Sequence, residues 1–327
     1  MNGAKEQQLL FFDRLQEFTR TQKDVVGQLA ELLGINRSSV YKRMRGEVQM
    51  RMHEAERIAA HFKIPFHLLH DAPPQEGVPF LSTGFLSSLA DVRAYLTQTD
   101  KLIDARAKGP RTLYYSARDL PLFWYFASPN LFRFKLGVWL SGFAGDDKFY
   151  LAYASTPEVE ELVQLAQKLF QRYLNLHTVE LWTKRTVINM VNQIMVYFTS
   201  GKVRQQESLQ LAYEVQHLLA RIRKHVATGW KSDHGKYDLY HVDFLMMTNS
   251  ALYKTKNQRT GFISYAGINY LSTRQVQFCK DLEQWFQVQM NHSKNLSGGT
   301  VFEGDAFINS AELRIRELIT YIRSNEG

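Results

Sequence analysis

The residues whose side chains are best suited to binding a ligand form a cationic segment between residues 37 and 45. Arg37, Lys42, Arg43 and Arg45 are cations, and the next acid is Glu47. Over residues 1–72 as a whole, 11 lysines and arginines stand against only 9 aspartates and glutamates, so the positive charge is concentrated in this segment. A local positive field of this kind is typical of a surface that binds phosphate. The segment therefore predicts an anionic partner.

No comparable pattern predicts catalysis. The sequence contains no Walker loop, dinucleotide fingerprint, HExxH or GxSxG motif. His234, His241 and Asp243 lie close together and could ligate a metal or exchange protons. His241 and Asp243 would share one face of a strand, but this pair has no third ligand at a recognisable spacing, so an ordinary polar strand face is favoured. Residues 297–305, SGGTVFEGD, could cradle a phosphate, although a loop is the favoured interpretation. We expect no enzymatic activity, no metal and no cofactor.

A dense aromatic group between residues 114 and 139 has two interpretations. Such side chains are most often core, but in a regulator they could also line an apolar pocket for a small-molecule effector. The pocket candidates are Phe123, Trp124, Tyr125 and Phe132.

Composition limits the class of protein. The 327 residues have room for two domains, and 45% hydrophobic with 22% charged residues excludes a wholly disordered or collagen-like chain. The net charge of +8 also fits an anionic partner. Because Cys279 is the single cysteine, no intramolecular disulfide can form, which indicates a reducing compartment. The first 20 residues do not read as a signal peptide, and polar residues interrupt the apolar stretch 121–144, so we expect a cytoplasmic protein with no membrane partner.

Short helices must position the cationic segment. An apolar stripe between residues 9 and 18 predicts a first helix that ends near Thr19. Thr21 and Asp24 predict a capping box at the start of a second helix. Gly34 ends that helix, because glycine readily adopts the left-handed conformation that closes a helix.

The cations themselves belong to a third helix. Asn36 is its expected N-cap, and Val40 and Met44 lie four residues apart on the face that packs. A fourth helix over residues 51–62 and a closing turn that includes Pro65 complete a small core.

The second and third helices resemble the helix-turn-helix of the Cro/CI (XRE-like) repressor family. The resemblance lies in residues 28–46, QLAELLGINRSSVYKRMRG, and continues to about Leu69. Ala30 matches the small residue where the two helices touch, and Gly34 matches the turn glycine. Arg43 stands where the family usually has an aliphatic residue, so Met44 is expected to pack in its place.

The resemblance implies that the third helix enters the major groove of double-stranded DNA. Arg37, Ser38 and Lys42 would reach base edges, with Tyr41 beside them. Phosphate contacts would come from Asn36, Ser39, Arg43 and Arg45. The alternatives are a solvated basic helix face or a helix-turn-helix used for protein contact.

The sequence after residue 70 gives weaker signals of its fold and function. Four breakers, Pro73, Pro74, Gly77 and Pro79, predict a linker, which gives a helix-turn-helix domain over 1–70, a linker over 71–84 and a larger domain over 85–327. The larger domain is expected to be α+β, with several long helices and an antiparallel sheet. Strands are predicted at 111–117 and 177–182, and segments 237–247, 251–255 and 261–270 predict an antiparallel meander.

Together these patterns predict a bacterial, sequence-specific transcriptional regulator. It would bind DNA as a homodimer, because one recognition helix reads few base pairs. The larger domain would dimerise, sense a small molecule or bind a protein effector. Two alternatives remain: an enzyme with an autoregulatory helix-turn-helix, and an interaction protein of the antitoxin or phage-regulatory type.

Overall fold

A computed structural model describes residues 2–19, 22, 24–64, 66, 69, 77–82, 84–103, 109–243, 249–298 and 301–325. The chain forms two compact units, Met1–Pro79 and Phe80–Gly327. Expectations that fall on Thr21, Pro65 and residues 71–76 lie outside the described residues. Within these described ranges, no helix is long and apolar enough to cross a membrane.

The first unit is helical, as predicted. Its helices are α1 (Asn2–Thr19), α2 (Val25–Leu33), α3 (Arg37–Met44) and α4 (Met52–His61). They share one apolar core, which contains Phe11, Phe12, Leu15, Leu29, Val40, Ala55, Ile58, Ala59, Ile64 and Leu69.

The start of the second helix differs from the expectation. The helix begins at Val25, and Asp24 is its N-cap, with a side chain that accepts the Gly27 N–H. Asp24 has a positive φ of 50°, a left-handed conformation that aspartate and asparagine tolerate better than most residues. Asp24 therefore both makes the turn into α2 and caps the helix with its short side chain.

The second unit is built on one eight-stranded sheet in the order β1-β7-β6-β5-β2-β3-β4-β8. The strands are β1 (Leu81–Ser82), β2 (Arg111–Ala117), β3 (His177–Trp182), β4 (Tyr237–His241), β5 (Ser250–Thr255), β6 (Arg259–Ala266), β7 (Asn269–Thr273) and β8 (Lys294–Asn295). The helices are α5 (Leu89–Leu102), α6 (Leu122–Tyr125), α7 (Pro129–Ala144), α8 (Pro157–Leu174), α9 (Arg185–Thr199), α10 (Gln205–Thr228), α11 (Val276–Asn291) and α12 (Val301–Ser324). A 3-10 helix spans Asp146–Tyr153.

The sheet is mixed, so the prediction of an antiparallel sheet is wrong for its centre. Strands β2, β3 and β4 pair in parallel, while β5, β6, β7 and β1 extend the sheet with antiparallel pairs. Helices α6, α7 and α8 connect β2 to β3, and α9 and α10 connect β3 to β4. Such helical crossovers return the chain to the same end of the sheet, which makes the strands parallel.

Three further boundaries correct the sequence prediction. Of the segment 237–247, residues 237–241 form β4, which pairs with β3 and not with the meander, and residues 244–247 lie outside the described residues. The segment 261–270 is divided between β6 and β7 by a turn at Gly267 and Ile268. Residues 301–305, expected in a loop, belong to α12, while 299 and 300 lie outside the described residues.

The core of the second unit encloses an unusual polar group. Glu180 on β3 is 1% exposed. Its carboxylate accepts hydrogen bonds from Trp124 Nε1 (3.1 Å), from the Tyr237 hydroxyl (3.2 Å) and from the Tyr173 hydroxyl. Lys231 is also buried; its Nζ donates to the Thr178 hydroxyl at 2.7 Å and lies 3.6 Å from the centre of the Tyr173 ring. Burial raises the pKa of Glu180 and lowers that of Lys231, since each charge loses water.

Candidate nucleic-acid interface

The turn between α2 and α3 sets the direction of the third helix. Gly34 has a φ of +65°, and its N–H donates to the Glu31 carbonyl at 3.2 Å. The Ile35 N–H then donates to the Ala30 carbonyl at 3.0 Å, which closes the helix end as in a Schellman motif. Only three residues separate α2 from α3, so the glycine conformation fixes where the third helix starts.

Helix α3 has one packed side and one open side. The Asn36 side chain caps the helix by accepting the Ser39 N–H at 2.8 Å. Val40 is 1% exposed in the core, and Met44 packs against the same core, as predicted. Tyr41 is 44% exposed and Lys42 is also exposed, so polar and cationic side chains occupy the outer surface.

Gln8 fixes the segment that follows α3, and the sequence interpretation missed it. The side chain is 7% exposed; its Nε2 donates to the carbonyls of Arg43 (2.7 Å) and Val48 (2.8 Å), and its Oε1 accepts the Met50 N–H (2.8 Å). The available signal is its spacing, because Gln8 lies three residues before Phe11 on the buried stripe of α1. A polar residue at such a position must find partners inside the fold.

Three of the four cations in the segment are paired with acids. Arg37 forms a two-bonded pair with Asp24, Nη1 to Oδ2 at 2.9 Å and Nη2 to Oδ1 at 2.6 Å. The other two pairs join Arg43 to Glu54 (3.0 Å) and Arg45 to Glu47 (2.5 Å). Within the described part of the chain, no ion pair is found for Lys42. The face is therefore less positive than the sequence suggests.

These pairs keep the acids ionised. The Arg37 guanidinium, together with the Gly27 N–H, holds the pKa of Asp24 below its ordinary value. The Arg45 guanidinium lowers the pKa of Glu47 in the same way. Burial acts to raise the pKa of Glu54, but hydrogen bonds from the Arg51 N–H and from Arg43 outweigh it.

The eight DNA-contact candidates differ in exposure. Asn36, Arg37, Ser38, Tyr41, Lys42 and Arg45 are exposed, and Ser39 is half-buried. Arg43 is set apart, because its side chain is only 15% exposed and its guanidinium is held by Glu54 at the start of α4. The structure thus exposes six of the eight candidates, leaves Ser39 half-buried and turns Arg43 toward α4.

The sequence interpretation missed the acids that hold Arg37 and Arg43. Asp24 and Glu54 lie 13 and 11 residues away from their partners, and a linear pattern does not reveal such pairs. One signal was present at Gly27, a glycine inside a helix where it costs about 1 kcal/mol relative to alanine. A Cβ at Gly27 would lie 2.1 Å from Asp24 Oδ2 and 3.0 Å from Arg37 Nη1. The glycine therefore makes room for the ion pair.

The aromatic pocket candidates lie in the core of the second unit. Phe123 stacks on Tyr173 with a ring distance of 4.7 Å, Trp124 donates to Glu180, and Phe132 packs against Phe126. Tyr125 lines a cavity, and its hydroxyl donates to Asp119 at 2.9 Å.

That cavity lies beyond the carboxyl end of β2. Asp119 accepts a hydrogen bond from buried Lys135 at 2.8 Å, and the hydroxyls of Tyr115 and Tyr270 bond to each other at 2.5 Å. Its volume is about 40 Å³, room for about three water molecules. The polar groups around it are already bonded to one another, so the cavity suits a few waters better than an effector.

The histidines near residue 240 do not assemble a metal site. His241 Nε2 lies 3.6 Å from Asp243 Oδ1, and burial lowers the pKa of His241. His234 is exposed. Across the described ranges, no group of three potential ligands comes together.

A comparison with protein families decides which helix-turn-helix family the first unit is similar to. Residues 8–110 match the family model of the BetR domain. This is a family of DNA-binding domains of the helix-turn-helix type. The assignment to the Cro/CI (XRE-like) family is therefore wrong, because residues 28–46, which suggested it, lie inside a match to a different family. The match also extends past the first unit through α5.

Searches of curated proteins and of solved structures found no match to the chain.

Proposed function

We propose that the chain is a sequence-specific DNA-binding transcriptional regulator in which α3 is the recognition helix. The observation that carries the proposal is the outer surface of α3, where polar and cationic side chains project from a helix whose other side is locked into the core by Val40 and Met44. The match to a DNA-binding domain family over residues 8–110 supports it. The proposal assigns no reaction to the chain.

The contact residues have different roles in this proposal. Arg37, Ser38 and Lys42 read base edges in the major groove, with Tyr41 beside them. Asn36, Ser39 and Arg45 contact phosphates and fix the position of the helix on the duplex. Arg43 has no part in the interface, because its side chain is only 15% exposed and its guanidinium is held by Glu54, whereas the paired side chains of Arg37 and Arg45 are more than half exposed.

The active form is proposed to be a homodimer, with the second unit supplying the dimer contact or the site for an effector. One α3 helix spans few base pairs, and two helices on successive turns of a two-fold site multiply affinity. Sedimentation of the protein alone and on DNA tests the stoichiometry. A single protomer per site would contradict this part of the proposal.

Selection of bound fragments from a genomic or random DNA pool tests the function. The expected product is a two-fold motif with half-sites about 10 base pairs apart. Lys42→Ala should weaken binding to that motif by about 1 to 3 kcal/mol and relax its base preference. Lys63→Asn is the matched control: it removes one exposed cation outside α3 at a left-handed position (φ 54°) that asparagine tolerates.

Two results would refute the proposal. One is the absence of any enriched motif together with weak binding that depends only on salt. The other is an equal loss of affinity in Lys42→Ala and Lys63→Asn, which would reduce α3 to a general source of charge.

A further inference from the structure

Three features of the first unit converge on one ion pair, which we call the Asp24–Arg37 clasp. Asp24 caps α2 from a left-handed conformation, and its carboxylate holds both terminal nitrogens of Arg37. Gly27 lies beneath the pair, where any Cβ would collide with the carboxylate. A left-handed aspartate and a glycine inside a helix both oppose local stability. Their presence at one contact indicates that the contact has a purpose beyond stability, because exposed ion pairs stabilise a fold little.

We propose that Asp24 is a positioning residue that presents Arg37 to guanine and withholds it from phosphate. This inference rests on the proposed function. Asp24 neither reads DNA nor contacts it in this role. It acts through Arg37, the first residue of the recognition helix.

The geometry leaves Arg37 able to read a base while it is held. A guanidinium has five N–H donors, and Asp24 uses one on each terminal nitrogen. Nε–H and one remaining Nη2–H form a second edge, whose donor spacing matches the O6 and N7 acceptors of guanine. The Tyr41 side chain, one turn along α3, also interacts with this guanidinium, so guanine would share Arg37 with Tyr41 as well as with Asp24. Arg37 can therefore bind Asp24 and guanine together, with its side chain already ordered before DNA arrives.

The charge of Asp24 has the opposite effect on random DNA. Paired with a carboxylate, Arg37 contributes little net attraction to phosphate, and Asp24 itself repels it. Non-specific binding depends almost entirely on such attraction. The clasp thus favours the complex with a correctly placed guanine over all other complexes, which is how repulsion contributes to specificity.

Asp24→Asn in the full chain is the test, because asparagine keeps both the N-cap and the left-handed conformation while removing the charge. Binding is measured at several salt concentrations to the selected duplex and to a scrambled duplex of equal composition. Glu47→Gln is the matched control, since it also removes one acid from an exposed arginine pair on this unit. Asp24→Asn should weaken binding to the selected duplex by about two- to tenfold, because Arg37 is no longer ordered before DNA arrives. The same variant should tighten binding to the scrambled duplex, because the negative charge of Asp24 is gone. Glu47→Gln should tighten both alike.

Each other outcome overturns the proposal. Equal tightening of both duplexes by Asp24→Asn would reduce Asp24 to a general charge, and preferential tightening of the cognate duplex would mean that the clasp blocks Arg37. In an Arg37→Ala background, Asp24→Asn should leave the cognate-to-scrambled ratio unchanged, and a persistent change would place the effect outside Arg37. Failure of the wild-type chain to discriminate the two duplexes would instead refute the proposed function.

Discussion

Replacement of Gly27 by alanine should produce no gain in helix stability, although the position lies inside α2. Alanine in place of glycine ordinarily stabilises a helix by about 1 kcal/mol. Here the new Cβ would lie 2.1 Å from Asp24 Oδ2, so the carboxylate must move away. That movement breaks the N-cap hydrogen bond from the Gly27 N–H to Oδ1, which is 3.1 Å long, at a cost of about 1 kcal/mol. The two effects cancel, and the Arg37 pair is lost as well.

The cycle with Asp24→Gly isolates this steric coupling. Glycine accepts the left-handed conformation of residue 24 and is only a few tenths of a kcal/mol worse as an N-cap. In that background Gly27→Ala should recover its full gain of about 1 kcal/mol, which gives a coupling free energy of about 1 kcal/mol between the two positions.

Amide hydrogen exchange of α2, measured by mass spectrometry on the full chain, is the suitable assay. All five tryptophans lie in the second unit, so their fluorescence does not report on α2 and serves as the internal control. A gain of 1 kcal/mol slows exchange by about fivefold. The reasoning is refuted if Gly27→Ala slows exchange of α2 equally in both backgrounds.

Three further perturbations test other parts of the structure. Gln8→Ala should destabilise the segment 43–50 by about 1 to 3 kcal/mol, because it removes the three part-buried hydrogen bonds that join Gln8 to the Arg43 and Val48 carbonyls and to the Met50 N–H. Exposed Gln7→Ala is the control, and equal exchange of the segment in both variants would contradict the prediction. Tyr237→Phe should lower the free energy of unfolding of the second unit by about 1 to 3 kcal/mol, since Glu180 loses a buried donor; urea titration followed by tryptophan fluorescence measures this, and Tyr240→Phe, which loses only a 3.4 Å contact with Asn295, should have less effect. Burial lowers the pKa of His225 to about 4 from an ordinary 6.5. Between these two pH values the unfolded chain binds a proton at His225 that the folded chain does not bind. The contribution of neutral His225 to the free energy of unfolding is therefore full above pH 6.5 and is lost as the pH falls toward 4. His225→Gln should therefore reduce the loss of stability between pH 7 and 4.5, and an unchanged pH profile would count against the assignment.

The parts of the fold that local chemistry determines were predictable from the sequence. Gly34 and Asn36 fix the end of α2 and the start of α3 through contacts within a few residues, and both were identified. The helix of the cationic segment and the apolar stripe of α1 follow from spacing alone. Asp24 was correctly identified as part of a cap, but the helix start was placed three residues too early.

The parts that depend on distant residues were not predictable in this way. The sequence predicts strands at residues 111–117 and 177–182, but it does not predict that they pair in parallel. The direction of the pairing depends on the helices that connect the two strands. The charge of the recognition face was overestimated for the same reason, since Asp24 and Glu54 approach it only in the folded chain. The DNA contacts of α3 remain predictions that the binding experiments test.

The pairing of β1 with β7 has a consequence for the time course of synthesis. Leu81 bonds to Ser272 across 191 residues of chain, whereas the core of the first unit is complete by Leu69. At about 5 to 20 residues per second, the ribosome needs about 10 to 40 s to pass from one strand to the other. During that interval the helical unit has every residue it needs, whereas the sheet is still incomplete because β7, the partner of β1, has not been made. The surface of α3 is therefore the first part of the nascent chain to mature, and any property that depends on the sheet is acquired afterwards.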